Sequence, residues 1–405
     1  MATDIILSSN NSSVVLQSLQ AGGVQDLSYE MKNSFPNVAK ECLELQPRQS
    51  VTGSLYGQTV RFDLPRGQML RDLLLATEFT GTSAGGVTSA NLGSFGLRII
   101  ESIELRTRSR SIVTITDDII QSLSQVSGTA KTMAISRRAY MNDPTTELAD
   151  DLAAGVGESI LVYTPLFNAF FEQVESNLDL GFYEQMEVVV KYNTAARAGA
   201  DDIVITNPAP TLWMWTYVPE MKYYSQLRAK NAGRATPMNM LIYDSQTETT
   251  LCTGTAENTA LIKVNYPVFA TFINLIDNTA AGVGARRRIN EFDFSFTGRN
   301  LYENMPRLVA QWEQESHGNS QLVVSGDTTV SRPTVGTIAC FWGLDVNNRT
   351  YNSGAVSYNQ INNPKIVISH ETVTAADTDM RISHVYWAIL ELDSSSGRLS
   401  VSTAT

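Results

Sequence analysis

Nucleophilic, acid–base and metal chemistry each need a few side chains of the right type at workable spacing, and this chain of 405 residues offers few such sets. Gly81-Thr82-Ser83-Ala84-Gly85 matches the Gly-x-Ser-x-Gly elbow, which places its serine on a sharp turn between a strand and a helix. The residues that follow, Gly86-Val87-Thr88-Ser89-Ala90-Asn91, are loop formers, so the segment reads as a surface loop. Gly128-Thr129-Ala130-Lys131-Thr132 is like the end of a phosphate-binding loop, but the first glycine is missing at the required spacing. It also reads as a loop.

Histidine is the commonest general base and metal ligand, and the chain has only His317, His370 and His384. His370-Glu371 and His384 would approach one another on adjacent strands, with Asp377 or Asp379 as the third ligand. A metal site in a β-barrel needs more clustered histidines than that, and strand-end surface residues are the favoured reading. Asp150-Asp151 and Asp201-Asp202 have the chemistry for Ca²⁺, yet paired acids in loops are usually just solvated. Arg286-Arg287-Arg288 is the only basic triplet. Nucleic acid, lipid head groups and an acidic neighbour are its potential partners, and a solvated loop is favoured. Trp213, Met214, Trp215 and Tyr217 form an aromatic strand. It is either a sugar platform or, with more weight, a strand whose alternate residues face the core and a protein interface. No catalytic, cofactor-binding or metal-binding residues are therefore expected.

Composition narrows the class further. The chain is 43% hydrophobic and only 18% charged, too apolar for disorder. Its formal charge of −11 argues against a surface that clamps a nucleic-acid backbone. Cys42, Cys252 and Cys340 are far apart and form no metal or disulfide framework. The opening MATDIILSSNNSSVV has neither a basic region nor an apolar stretch of signal-peptide length, and no window spans a bilayer, so a reducing cytosol is expected. Asn10, Asn11 and Asn348 lie in Asn-x-Ser/Thr sequons, which mean little without a secretory route.

The elements that would position these residues are mostly strands. Residues 1–45 are rich in Ser, Asn and Gln and read as an arm. From Val51 onward, short alternating or apolar runs are separated by turn residues, as in Thr59–Leu64, Ile99–Leu105, Ile160–Tyr163 and Met186–Tyr192. The best helix starts at Asp117-Asp118, with Ile119, Ile120, Leu123 and Val126 apolar before Gly128.

The chain also echoes itself. Ile99–Leu105 is echoed by Ile289–Phe296, and Ile160–Leu166 by Ile338–Leu344. Tyr183-Glu184-Gln185 with Val188–Val190 is echoed by Tyr358-Asn359-Gln360 with Ile366–Ile368, and Val60–Pro65 more faintly by Ile262–Pro267. The echoes keep one order, which indicates duplication. A β domain of such length needs about eight strands with long loops, which suits a jelly roll better than a seven-stranded sandwich. The expected fold is all-β, two tandem eight-stranded jelly rolls with a few short helices in loops. The expected divisions are an arm at 1–45, a first roll at 46–225, a linker at 226–250, a second roll at 251–395 and a tail at 396–405.

Gly57–Leu73, a strand, a polar turn and a strand led by Leu-x-Asp-Leu, resembles the opening of the double jelly-roll major capsid proteins of tailless icosahedral DNA viruses. Ile100–Leu105 with the helix from Asp117, and Leu161–Phe171 with Leu180 and Tyr183–Val188, are similar to later parts of that family in large algal and polinton-like viruses. The resemblance extends to the major capsid proteins of membrane-containing bacteriophages. Phe341–Asp345 through Tyr351–Asn363 resembles its second-half signature, with Tyr-Asn-Ser-Gly and Tyr-Asn-Gln-Ile-Asn-Asn in place of the usual residues. The resemblance covers about residues 45 to 400.

The resemblance implies a non-enzymatic major capsid protein, assembled in host cytoplasm or nucleus as pseudo-hexameric homotrimers that build an icosahedral virion shell. Neighbouring capsomers and minor capsid and penton proteins would be its partners. The arm would face an internal membrane or the genome, with no sequence-specific nucleic-acid contact and no cofactor. The rivals are a tandem jelly-roll glycan-binding or glycan-processing protein and a minor capsid or spike protein of the same fold.

Overall fold

The computed structural model of the chain describes residues 38–67, 69–83, 99–108, 110–120, 157–166, 178–181, 184–195, 203–219, 221, 225, 238–252, 257–277, 289–296, 299–306, 309–310, 337–342, 355–358, 361, 363–370, 378–393 and 398–403. Alternation of buried and exposed residues makes most of them strands. In β2 (Thr59–Asp63), for example, Val60 and Phe62 are buried while Thr59, Arg61 and Asp63 are exposed. The other strands of the first half are β1 (Val38–Leu45), β3 (Met69–Ser83), β4 (Ile100–Thr107), β5 (Ser111–Thr116), β6 (Glu158–Pro165), β7 (Leu178–Asp179), β8 (Met186–Tyr192) and β9 (Ile203–Pro219). Residues 117–120, directly after β5, are helical, where the acidic start predicts a helix to open; its expected continuation through Leu123 and Val126 to Gly128 lies outside the described residues.

These strands form two antiparallel sheets, in the orders β1-β9-β3-β6 and β2-β8-β4-β5, with β7 paired to β3. The second half repeats them. Its strands are β10 (Met238–Leu251), β11 (Glu257–Leu261), β12 (Pro267–Asp277), β13 (Ile289–Phe296), β14 (Arg299–Pro306), β15 (Thr337–Phe341), β16 (Val356–Ser357), β17 (Lys365–His370), β18 (Thr378–Asp393) and β19 (Arg398–Thr403). Their orders are β10-β18-β12-β15 and β11-β17-β13-β14, with β16 on β12 and β19 on β18. Counting β1 to β9 against β10 to β18, every neighbour relation is the same. The duplication read from the echoes is therefore present in the hydrogen bonding.

Three echoes coincide with equivalent strands: β4 with β13, β6 with β15 and β8 with β17. The fourth is displaced. The counterpart of β2 is β11 (Glu257–Leu261), and Ile262–Pro267 runs on from it into β12. Three expected divisions also move. Val38–Leu45, placed in the arm, is β1 and pairs along its whole length with β9. Met238–Leu251, placed largely in the linker, is β10 and pairs with β18. Arg398–Thr403, placed in the tail, pairs with β18 as β19. The reason is common to all three. Each strand borders a sheet, where polar and charged residues such as Lys40, Glu41, Gln246, Glu248 and Arg398 are tolerated and weaken the alternating signal. Residues 1–37 of the arm lie outside the described residues.

Both cores draw on the inward rows of their sheets, and the buried apolar side chains form one continuous cluster through both rolls. In the second roll this core is aromatic. Phe294 lies 5.1 Å from Trp342 and 5.9 Å from Tyr358 between ring centroids, and Tyr358 lies 5.5 Å from His384. Buried Thr271 ties the group together: its hydroxyl is 2.9 Å from the Tyr358 hydroxyl, 3.1 Å from His384 Nδ1 and accepts from Trp342 Nε1 at 3.4 Å. His384 Nε2 is buried without a hydrogen-bond partner. Burial pushes the His384 imidazole down to about 3 from its ordinary 6.5, so the ring folds neutral.

Unfolding therefore takes up a proton at His384 below pH 6.5, and its stabilising contribution, complete above that pH, falls away as the pH drops toward about 3. His384→Met, which installs an apolar side chain of similar length, is expected to flatten the loss of stability between pH 6 and pH 4. Denaturant melts at stepped pH values check this; an unchanged slope would assign the acid sensitivity to other groups.

Candidate assembly surface

Within the chain the two rolls meet along β5 and β10, and the contact is polar. The Thr114 N–H donates to Asp244 Oδ1 at 3.2 Å, and the Ser245 hydroxyl donates to the Thr114 carbonyl at 2.6 Å. The Thr116 and Thr247 hydroxyls are 3.4 Å apart, and Thr247 continues to Ser383 at 2.9 Å. Tyr386 completes the Asp244 site, its hydroxyl donating to Oδ2 at 3.0 Å. Burial pushes the Asp244 carboxyl above its ordinary range, while the Ser245 and Thr114 N–H groups and the Tyr386 hydroxyl pull it back.

A charge pair closes the seam. Arg381 Nη1 of β18 lies 3.3 Å from Asp118 Oδ2 in the helical residues after β5, and both side chains are buried. One partner belongs to each roll, so the pair holds only at one mutual orientation of the two. Asp117-Asp118 shows in the sequence as a helix opening, whereas Asp244 and Arg381 stand out in no motif. Neither carries a local signal, because what makes them a site is contact across more than 100 residues of chain.

The first roll has an aromatic outer face. Along β9, Leu212, Met214 and Thr216 are buried, and Trp213, Trp215 and Tyr217 between them are half-buried on the opposite face. Directly opposite on β1 stand Glu44, Cys42 and Lys40, and opposite Trp213 on β3 stands Leu74, so these side chains share that face. The Arg71 guanidinium sits 5.5 Å from the Tyr217 ring centroid. The Trp213–Tyr217 strand thus alternates between the core and an outer face.

No family model and no curated protein matches the chain by sequence. Its fold does match solved structures. A chain of the PBCV-1 virus capsid superposes with a TM-score of 0.67 over 92% of this chain and 98% of the other, at 14% identity. The Faustovirus major capsid protein gives 0.63 over 96% and 98% at 9% identity, and the mavirus major capsid protein 0.52 over 90% and 90% at 10% identity. The chain is a double jelly roll. The architecture is that of viral major capsid proteins, and it extends through nearly the whole length of each comparison.

The double jelly roll scatters the residues whose types could do chemistry. Gly81–Ser83 end β3 and pair with Ile203–Ile205 of β9, so they are strand and not loop; Ser83 lies in a ladder, where an elbow would need a turn. His370 lies on β17 and His384 on β18, which belong to opposite sheets and are not adjacent as expected. Buried His370 Nε2 is 2.6 Å from Asn258 Nδ2. Asp379 is on β18 opposite Leu251 and Ile276. Among the described residues, no three His, Cys, Asp or Glu side chains gather as a metal-holding group. Cys42 is exposed, Cys252 and Cys340 are buried, and all three are free thiols. Lys131, His317, Arg286–Arg288, Asp150-Asp151, Asp201-Asp202, Glu371 and Asp377 lie outside the described residues.

Removing one partner of the seam's charge pair strands the other in a buried site. Arg381→Ala is expected to cost about 3 to 5 kcal/mol in denaturant unfolding, with Asp118→Leu added to Arg381→Met recovering most of it. Equal stability of Arg381→Ala and the native chain would mean that the pair contributes nothing to holding the rolls together.

Proposed function

We propose that this protein is a major capsid protein, which self-assembles as homotrimeric, pseudo-hexameric capsomers into an icosahedral virion shell. The observation that supports this most directly is the duplicated roll with a fixed seam. Two similar domains rigidly set side by side behave as two-sixths of a hexagon, and three chains around an axis supply six. The likeness in fold to capsid proteins of PBCV-1, Faustovirus and mavirus supports the same reading. The reading assigns no reaction to the chain. It places the protein in the virion, assembled in host cytoplasm or nucleus, with neighbouring capsomers and minor capsid and penton proteins as partners.

Purified full-length protein should run at three times the chain mass of 44.4 kDa by native mass measurement and give hexagonal outlines by electron microscopy. A monomer at micromolar concentration that captures oligosaccharides on a glycan array would favour the lectin-like alternative instead.

We further propose that the arm acts between capsomers or toward the shell interior. Because β1 begins at Val38, the arm proper is residues 1–37. Deleting residues 2–37 should leave thermal unfolding and trimer mass unchanged while closed shells fail to form in electron micrographs. Loss of the trimer on this deletion would place the arm inside the capsomer.

A further inference from the structure

The duplication permits a position-by-position comparison of what covers each roll. A bulge shared by both long sheets sets the alignment. It falls between Leu70 and Asp72 of β3, opposite Thr216 and Trp215, and between Val268 and Ala270 of β12, opposite Tyr386 and Val385. Trp215 is thus the counterpart of Val385, Trp213 of Ser383 and Leu74 of Phe272. In the second roll these outward positions are fully covered: Val385 is 2% exposed, and Ser383 and Phe272 are 0%. That sheet is the one on which β5 of the first roll lies. In the first roll Trp215, Trp213 and Leu74 remain half-exposed.

The inserting edge shows the complementary difference. Ile115 of β5 pairs with Ile103, and Met305 of β14 pairs with Phe292; Val113 pairs with Leu105, and Tyr302 with Phe294. Counting outward from these pairs, Leu301 is the counterpart of Ile112 and Val309 that of Ile119. Ile112 and Ile119 are 3% and 1% exposed, whereas Leu301 and Val309 are 47% and 48% exposed. The chain therefore buries one such contact and leaves the equivalent surfaces of a second uncovered, an aromatic face on the first roll and, on the second, an edge that presents Leu301 and Val309 beside the exposed polar residues Asn300, Glu303 and Asn304. The two surfaces cannot meet within one chain, because the first roll already offers its edge to the second.

We infer that the Trp213–Trp215–Tyr217 face receives the β14 edge and residue Val309 of a second copy of this chain, an inference that rests on the capsid reading above. The contact is heterologous, edge to face, and such contacts close into a ring when the rotation allows. Cys42, exposed and directly opposite Trp215, lies under the docked edge.

Full-length native protein, Trp215→Glu and Leu301→Glu decide it. Both variants are expected to lose the trimer and run as monomers with native circular dichroism. Mixed together they should form a dimer and nothing larger, since one variant keeps the edge and the other the face, leaving one intact contact. Cys42 should resist maleimide in the native trimer and react in Leu301→Glu, whose own face is untouched. If the native chain is a trimer, and either variant remains one or the mixture stays monomeric, the subunit contact lies elsewhere and this inference falls while the capsid reading stands. A monomeric native chain would overturn both. Should Trp215→Glu not fold, Leu301→Glu, at an exposed position, decides through its mass and the Cys42 reaction.

Discussion

A sheet in a β-sandwich buries one face against its partner sheet, and the other needs either water or a second cover. In the second roll the long sheet around β18 has taken the second cover. From Met380 to Tyr386 every residue is buried, on both faces of the strand, and the first roll meets the outside of this sheet at Arg381 and along β10. That coverage fixes the orientation of the rolls and makes them inequivalent despite their shared topology. It also gives the chain a direction, from an edge already docked to an edge still open.

The seam is specified by polar groups and not by area. Arg381 with Asp118, Asp244 with the Thr114 N–H, and the Ser245 hydroxyl with the Thr114 carbonyl are satisfied only in one relative placement of β5 and β10. Buried polar contacts add little net stability once desolvation is counted, but a misplaced alternative forfeits these cross-roll partners after the desolvation has been incurred, which is costly. Orientation is thus set by what would be lost in any other arrangement.

Divergence between the rolls follows their different surroundings. At equivalent outward sites the covered roll carries Ser383 and Val385, small enough for a neighbouring backbone to approach, while the uncovered one carries Trp213 and Trp215. Inside, Met214 corresponds to His384, and the second roll sets that histidine against Thr271 and Tyr358. The topology outlasted these exchanges because the backbone ladder is indifferent to side-chain identity as long as the inward row stays apolar.

Much of the fold was legible in the residues alone. Period-two runs such as Val60 and Phe62, or Met186 to Tyr192, announce strands because a half-buried strand alternates its environment with each residue. The repeated order of such runs announced two rolls, and the absence of clustered histidines and carboxylates argued against chemistry before any strand was placed. What the sequence could not supply is everything that depends on distant parts of the chain. The polar edges β1, β10 and β19 become strands only because β9 and β18 offer them hydrogen bonds. His370 and His384 share a run of sequence but are separated by the space between two sheets. Asp118 and Arg381, 263 residues apart, become partners only where the rolls cross. Local pattern reports how each residue is exposed along its own strand, whereas a seam is made of residues whose neighbours are chosen by the packing of whole sheets, and that choice is settled only by the tertiary fold.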